Sequence, residues 1–175
     1  MLTVKRKVIE LLMILVCFLL ETTIFRHLEI ASIKPNLIII LVASFGFMKG
    51  KKEGMYVGVI SGLLLDICSG QIIGFYTLLF TGVGYINGFF RRLFNDENVK
   101  LPLFLISGSE LIYGLLVYIF QFLLQSDFHF LYYLGHVIMP ELVYTVLITL
   151  IIYPIILKIN HKLEDEEKRS ASRFV

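Results

Sequence analysis

Long apolar blocks, separated by short clusters of charge, constrain this sequence more than any other feature. Hydrophobic residues make up 57% of the 175 positions and charged residues only 17%. A soluble domain of this length has too little interior to bury so much apolar surface. Several blocks approach the length that crosses a lipid bilayer. The sequence therefore predicts an all-α fold, a polytopic membrane helix bundle forming a single domain.

Six apolar segments are predicted to span the membrane. The second and third contain uninterrupted apolar sequence only at 37–48 and 55–65, which is shorter than the roughly 20 residues of a full crossing. Four spans plus a re-entrant hairpin is therefore the alternative to six spans. A charged tail is expected to follow, first a frayed helical end and then disorder. The predicted spans are 8–25, 31–48, 54–67, 72–90, 101–124 and 131–157, and the tail is 158–175.

The distribution of basic residues predicts the orientation of the chain. In the six-span arrangement, all 16 lysines and arginines except Arg26 and Lys34 fall on one side. Basic residues accumulate on the cytoplasmic side of membrane proteins. We therefore expect both termini to be cytoplasmic.

Several classes of function find no support in the sequence. The net charge of +2 and the lack of a long basic stripe argue against nucleic-acid binding. His136 and Glu141 are five residues apart, which does not suit zinc ligands on one helix face, and the two cysteines are isolated. No hydrolase, metalloprotease or phosphate-loop motif is present. We therefore expect no enzymatic activity and no cofactor.

Glycines at four-residue spacing are the first candidates for a functional surface. Gly54, Gly58 and Gly62 share one face of the third segment, and Gly84 and Gly88 repeat the spacing in the fourth. Such faces let helix backbones approach closely in lipid. They predict helix packing, either within the chain or against the transmembrane helix of a partner.

Polar residues inside the apolar segments are the second candidates. Glu110, His136 and Glu141 are placed where an ionisable group must face the bundle interior, a cavity or a partner. Pro140 breaks the helical hydrogen bonding beside Glu141. This spot is predicted to be either a binding cavity or partner contact, or a structural hydrogen-bond network.

An ordered set of motifs resembles the bacterial rod shape-determining protein MreD family. A Pro-Asn-Leu opening is followed by the glycine-rich third segment, which ends in a Leu-rich run and an aspartate. A Gly-Phe turn and a Gly-Tyr-x-x-Gly segment closed by two arginines come next. The motif residues are Pro35, Asn36, Leu37, Gly50, Gly54, Gly58, Gly62, Leu63, Leu64, Leu65, Asp66, Gly74, Phe75, Gly84, Tyr85, Gly88, Arg91 and Arg92. Asn36 stands where the family often has aspartate.

The resemblance implies a non-enzymatic scaffold in the bacterial plasma membrane. Its partners would be MreC-like protein, an MreB-like filament, and the polymerase and transpeptidase of peptidoglycan synthesis. The implied fold resembles the membrane-embedded substrate-binding subunits of energy-coupling-factor transporters. Asp66 and the face of Gly54, Gly58 and Gly62 would pack against partners, while Pro35 and Asn36 shape the start of the second helix.

A transport subunit is the rival interpretation. The same architecture is compatible with a vitamin-type small molecule held between helices near Glu110, His136 and Glu141. The partners recovered with the protein separate the two hypotheses.

Overall fold

A computed structural model describes residues 2–25, 33–69, 72–94, 99–125 and 130–171, and these residues form six helices. Within them there is no β-strand, so the all-α prediction is confirmed for this part of the chain. Helix α6 is one continuous rod with a π-helical turn near its start. The helices are α1 (Leu2–Leu19, continued by a π-helical turn at Leu20–Ile24), α2 (Leu37–Lys49), α3 (Lys51–Ser69), α4 (Phe75–Phe89, continued by a 3-10 turn at Phe90–Leu93), α5 (Lys100–Gln125) and α6 (Phe130–Tyr133, the π-helical turn Leu134–Ile138 and Met139–Ala171).

Each of the six predicted segments overlaps one of these helices, although residues 31 and 32 lie outside the described part. Two described helices are long and apolar enough, by length and composition, to cross a membrane. They are α5, over 100–120, and α6, over 130–169. Helix α2 is also apolar, but it has only 13 residues.

Helix α2 forms the centre of the bundle. It contacts each of the other five helices, and all residues from Leu37 to Met48 are buried. A helix that is apolar all round belongs in such an interior position. Its 13 residues span about 20 Å, less than the roughly 30 Å of a bilayer core. Protein rather than lipid therefore surrounds the second predicted span.

A single residue, Gly50, separates α2 from α3. Its φ of 98° lies in the left-handed region, where glycine is favoured over residues with a side chain. A Cβ at this position would also come within 2.8 Å of Cδ of Arg91. Glycine therefore allows α2 and α3 to form a tight hairpin at this end of the bundle.

The outward faces of the other helices are apolar. On α1, Leu12, Leu15 and Leu19 are about half exposed, while Ile14 and Cys17 on its other face are buried. Exposed leucine and isoleucine also cover α4 and the middle of α6. In water such a surface would drive aggregation, whereas in a bilayer it meets lipid.

The expectation of a fraying end after residue 157 is wrong as far as Ala171, because α6 continues to that residue. Glu164, Glu166 and Glu167 in this extension pair with basic residues near the start of the chain or at the end of α2. These ion pairs hold the charged segment against the bundle. Residues 172–175 lie outside the described part.

The π-helical turn in α6 ends at Ile138, two residues before Pro140. Proline has no N–H to donate to the carbonyl of His136, four residues earlier. The N–H of Met139 bonds instead to the carbonyl of Leu134, five residues earlier. The predicted break beside Glu141 thus takes the form of a π-bulge, a feature often found at functional positions.

Candidate functional site

The glycine face of α3 packs against α4 of the same chain. A Cβ at Gly58 would lie 2.5 Å from the carbonyl oxygen of Phe80, and one at Gly62 would lie 2.6 Å from the amide nitrogen of Thr77. A Cβ at Gly54 would clash with the carbonyl oxygen of Gly84. The backbones of α3 and α4 are therefore too close for any side chain between them. We call this contact the glycine seam.

Gly84 and Gly88 form the α4 side of the same seam. An added Cβ at Gly84 would meet the backbone of Gly54, and one at Gly88 would meet the backbone at Gly50 and Lys51. Of the two alternatives predicted for these glycines, packing within the chain is therefore the contact that the structure contains. The seam leaves no room for a further helix on this face.

Asp66 joins the end of α3 to the start of α4. Its carboxylate accepts hydrogen bonds from the backbone N–H groups of Gly74, Tyr76 and Thr77 at 2.9 to 3.1 Å, and from the Thr77 hydroxyl at 2.5 Å. The first turn of a helix has N–H groups with no partner in the helix, and a carboxylate there also interacts favourably with the helix dipole. Asp66 therefore fixes the angle at which α4 leaves α3.

Asp66→Ala is expected to lower the free energy of unfolding by about 2 kcal/mol, because three backbone N–H groups at the start of α4 and the Thr77 hydroxyl lose their acceptor. Asp66→Asn keeps one carbonyl oxygen and should cost less. Thermal unfolding of the purified protein in detergent measures both effects. Asp165→Ala, at an exposed position in α6, is the control; equal effects at positions 66 and 165 would contradict the capping role.

Pro35 and Asn36 form the corresponding joint at the start of α2. The Asn36 side-chain oxygen accepts a hydrogen bond from the N–H of Ile39, and the Asn36 N–H donates to the Thr145 hydroxyl of α6, both at 3.1 Å. Both Pro35 and Asn36 are buried. Asparagine is a preferred N-cap residue, so position 36 performs this role without a charge.

The polar residues in the apolar segments are only partly brought together. Glu110 is buried, and its Oε2 has no hydrogen-bond partner among the described residues. Its carboxyl group is within electrostatic range of Glu141 and Glu21. His136 is exposed instead and stacks on Tyr132, with ring centroids 4.2 Å apart. Glu110 and Glu141 thus belong to one polar region, whereas His136 lies on the bundle surface.

An apolar groove opens beside the π-bulge of α6. Its volume is about 430 Å³. A Cβ added at Gly135 would meet no atom within 4 Å, so the floor of the groove is open at that position. We call it the α6 groove; its lining residues are Ile33, Gly135, Met139, Pro140, Val143, Tyr144 and Leu147.

A buried charge network ties the two ends of the chain together. Arg6, with its side chain only 8% exposed, donates to Glu10 on α1 and to Asn160 and Glu167 on α6, at 3.0 to 3.1 Å. Lys7 pairs with Glu10 and with Glu53 of α3. We call this network the terminal clasp.

A further ion pair in the terminal clasp joins Lys49, at the end of α2, to Glu164 on α6. The basic residues of the clasp contribute to the sequence-based prediction only through the orientation of the chain, and their pairing with the glutamates is not predicted. The only signal for the clasp in the sequence is the opposite charge of two segments, acidic at 164–167 and basic at 5–7.

Electrostatics within the terminal clasp favour the charged forms. Burial opposes the charge on Arg6, but hydrogen bonds to Glu10 and Glu167 outweigh burial and raise the pKa of Arg6. Burial likewise opposes ionisation of Glu164, yet the hydrogen bond from Lys49 holds the pKa of Glu164 below its ordinary value. Both shifts favour the charged form, of the guanidinium at Arg6 and of the carboxylate at Glu164.

The described residues form structural joints and an open groove. Within the described residues, no group of three or more His, Cys, Asp or Glu side chains is arranged to hold a metal ion. Among known families, the model of the rod shape-determining protein MreD matches residues 3–163. No curated protein and no solved structure matches the chain.

Proposed function

This chain belongs to the MreD family of rod shape-determining proteins, and we propose that it is a non-enzymatic scaffold of the cell-wall elongation complex. The family is a membrane family with a role in the rod-shape complex. In this role the chain would hold the other members of the complex together by helix contacts within the bilayer. The main support for this scaffold role is the α6 groove. It is an open apolar surface beside the π-bulge of a helix that is long enough to span the membrane.

The proposed topology has six membrane segments and both termini in the cytoplasm. Apolar side chains cover the outward faces of α1, α4, α5 and α6. The terminal clasp brings basic residues of α1 and the end of α2 to the same end of the bundle as the last turns of α6. An end so rich in lysine and arginine suits the cytoplasmic surface of a bacterial plasma membrane.

The interior contacts support a rigid scaffold. The close backbone contacts of the glycine seam lie within the chain, as do the hydrogen bonds of the Asp66 and Asn36 side chains. We infer that these family motifs act on partners indirectly, by fixing the positions of α2, α3 and α4. Partner contacts then fall on the outward surface, where side chains remain available.

The α6 groove is the surface that we assign to an MreC-like partner. Its lining is apolar apart from the Tyr144 hydroxyl, and Gly135 permits a second backbone to approach closely. Small residues at such positions favour helix association in lipid. The occupant would be a transmembrane helix of the MreC-like protein. The polymerase, the transpeptidase and the MreB-like filament would join the same complex.

The transporter alternative gains no support from the described residues. Glu110 and His136, two of the three residues predicted to line a ligand site, are separated, one buried and the other on the surface. The α6 groove is open and apolar, unlike an enclosed site with convergent polar groups.

Affinity capture from gently solubilised membranes tests the proposal. The tagged protein is expected to recover an MreC-like protein together with wall-synthesis enzymes. Gly135→Leu fills the α6 groove, so it should reduce recovery of the MreC-like protein by about tenfold.

The matched control for Gly135→Leu is Gly82→Leu on α4. An added Cβ is free of contacts at position 82 as well, but Gly82 lies outside the groove. This control should recover partners normally. Recovery of transporter ATPases in place of wall-synthesis proteins would overturn the scaffold proposal. Equal recovery of the MreC-like protein with both variants would show that it binds elsewhere than in the α6 groove.

A further inference from the structure

A basic pocket lies where the α2–α3 hairpin meets the end of α4. Its volume is about 950 Å³. It occupies the same end of the bundle as the terminal clasp, since Lys49 belongs to both. Its lining residues are Lys49, Gly50, Lys51, Lys52, Glu53, Gly88, Phe89, Arg91 and Arg92.

The pocket carries an excess of positive charge. Lys49 is neutralised by Glu164, and Glu53 by Lys7. The four other basic residues form no ion pair within the described part of the chain, and three of them are exposed. These four residues are Lys51, Lys52, Arg91 and Arg92.

Backbone groups add to this charge. The N–H of Gly54 makes the first hydrogen bond of α3, to the carbonyl of Gly50 at 3.0 Å. The N–H groups of Lys51, Lys52 and Glu53 precede it and have no acceptor within the helix. A helix N-terminus with free N–H groups favours an anion, and here basic side chains surround it.

Aromatic side chains beside the pocket suit a position near lipid headgroups. The Lys51 ammonium lies 3.2 Å from the ring centroid of Phe89 and 5.3 Å from that of Tyr85. Phe89 is 53% exposed, and Ile86 beside it is exposed as well. Aromatic side chains that contact both apolar surroundings and polar or charged groups are typical of the membrane interface.

We propose that this pocket binds a phosphate group, supplied by the headgroup of an anionic membrane lipid. Guanidinium groups suit phosphate because they offer several N–H donors in a planar fork. Basic pockets between helices on the cytoplasmic side of a membrane bind anionic headgroups in the same way. The site would couple the α2–α3 hairpin to the surrounding lipid, whatever partner occupies the α6 groove.

Native mass spectrometry of the full chain in detergent tests the site. The probes are phosphatidylglycerol and phosphatidylcholine with identical acyl chains. The wild-type protein is expected to retain phosphatidylglycerol preferentially. The double variant Arg91→Gln with Arg92→Gln should weaken that binding by about thirtyfold, since each basic residue near the surface contributes about 1 kcal/mol.

The control removes the same charge elsewhere. Lys158→Gln with Lys162→Gln alters two exposed residues of α6 outside the pocket and should leave retention unchanged. If the arginine double variant does not fold, Lys52→Gln takes its place, with an expected loss of about fivefold. Equal losses in the pocket and control variants would indicate diffuse attraction and overturn the proposal. Equal retention of both lipids by the wild-type protein would overturn it too.

A comparison with inorganic phosphate shows whether the phosphate group comes from a lipid headgroup or from solution. Thermal stabilisation of the wild-type protein by phosphatidylglycerol, without an effect of inorganic phosphate, supports a lipid headgroup. Stabilisation by inorganic phosphate that disappears in the pocket variant supports the same phosphate site filled from solution. Stabilisation by neither probe overturns the proposal.

Discussion

Gly58→Val is expected to lower the free energy of unfolding by about 3 kcal/mol or more, the upper part of the range for overpacking. The side chain has no room, because its Cβ alone would lie 2.5 Å from the Phe80 oxygen and 2.7 Å from the Phe80 carbonyl carbon. Backbone atoms cannot rotate away as a flexible side chain can. The substitution must therefore push α4 away from α3 and open the glycine seam.

Thiol labelling measures this effect directly. The chain has two cysteines, Cys17 buried and Cys68 exposed, so Cys68→Ala leaves one thiol that reacts when the bundle opens. Heating with a fluorogenic thiol reagent should show unfolding of Gly58→Val at a much lower temperature than that of the parent protein.

Gly82→Val is the control for Gly58→Val, because it lies on α4 but an added Cβ there meets no atom within 4 Å. It should behave like the parent protein. Similar stabilities of the two variants would show that the seam is looser than the structure indicates.

Arg6→Gln is expected to lower the free energy of unfolding by about 3 kcal/mol or more, the cost of breaking a buried ion pair. The substitution leaves Glu10, which is 0% exposed, with Lys7 as its remaining partner. It also removes the donors to Asn160 and Glu167. Arg6→Lys keeps the charge but not the branched donor geometry, so its effect should be intermediate.

The adjacent residue is the control for Arg6. Lys5 pairs with Glu166 at 2.5 Å, but both side chains are well exposed. An exposed ion pair contributes roughly 0 to 1 kcal/mol to the free energy of unfolding. Thermal unfolding of Lys5→Gln and Arg6→Gln in the same detergent compares the two pairs. A larger loss at position 5 than at position 6 would contradict the buried clasp.

The sequence predicted the helices well because their signals are local. Runs of apolar residues bounded by charge marked each segment, and four-residue glycine spacing marked a close helix contact. The apolar run at 37–48 belongs to a predicted span, and the structure buries every residue of that run inside the bundle. Short length and all-round hydrophobicity together fit a central helix better than a lipid-facing one.

Other features depend on contacts between residues that are distant in sequence. Arg6 and Glu167 are separated by 161 positions, and no local pattern pairs them. His136 is predicted beside Glu110 and Glu141 because all three are ionisable residues of apolar segments, but in the structure it is exposed in the π-helical turn of α6. Which partner a glycine face meets is likewise decided by the tertiary fold, here by α4.

Photo-crosslinking in living cells tests whether the chain is a scaffold whose α6 groove receives a partner helix. A photoreactive amino acid replaces Met139, which lines the groove and is 44% exposed. The control replaces Leu78 of α4, which is 70% exposed outside the groove. We predict a crosslink to the transmembrane helix of an MreC-like protein from position 139 and none from position 78. Crosslinks to that helix from position 78 alone, or from neither position, would contradict it.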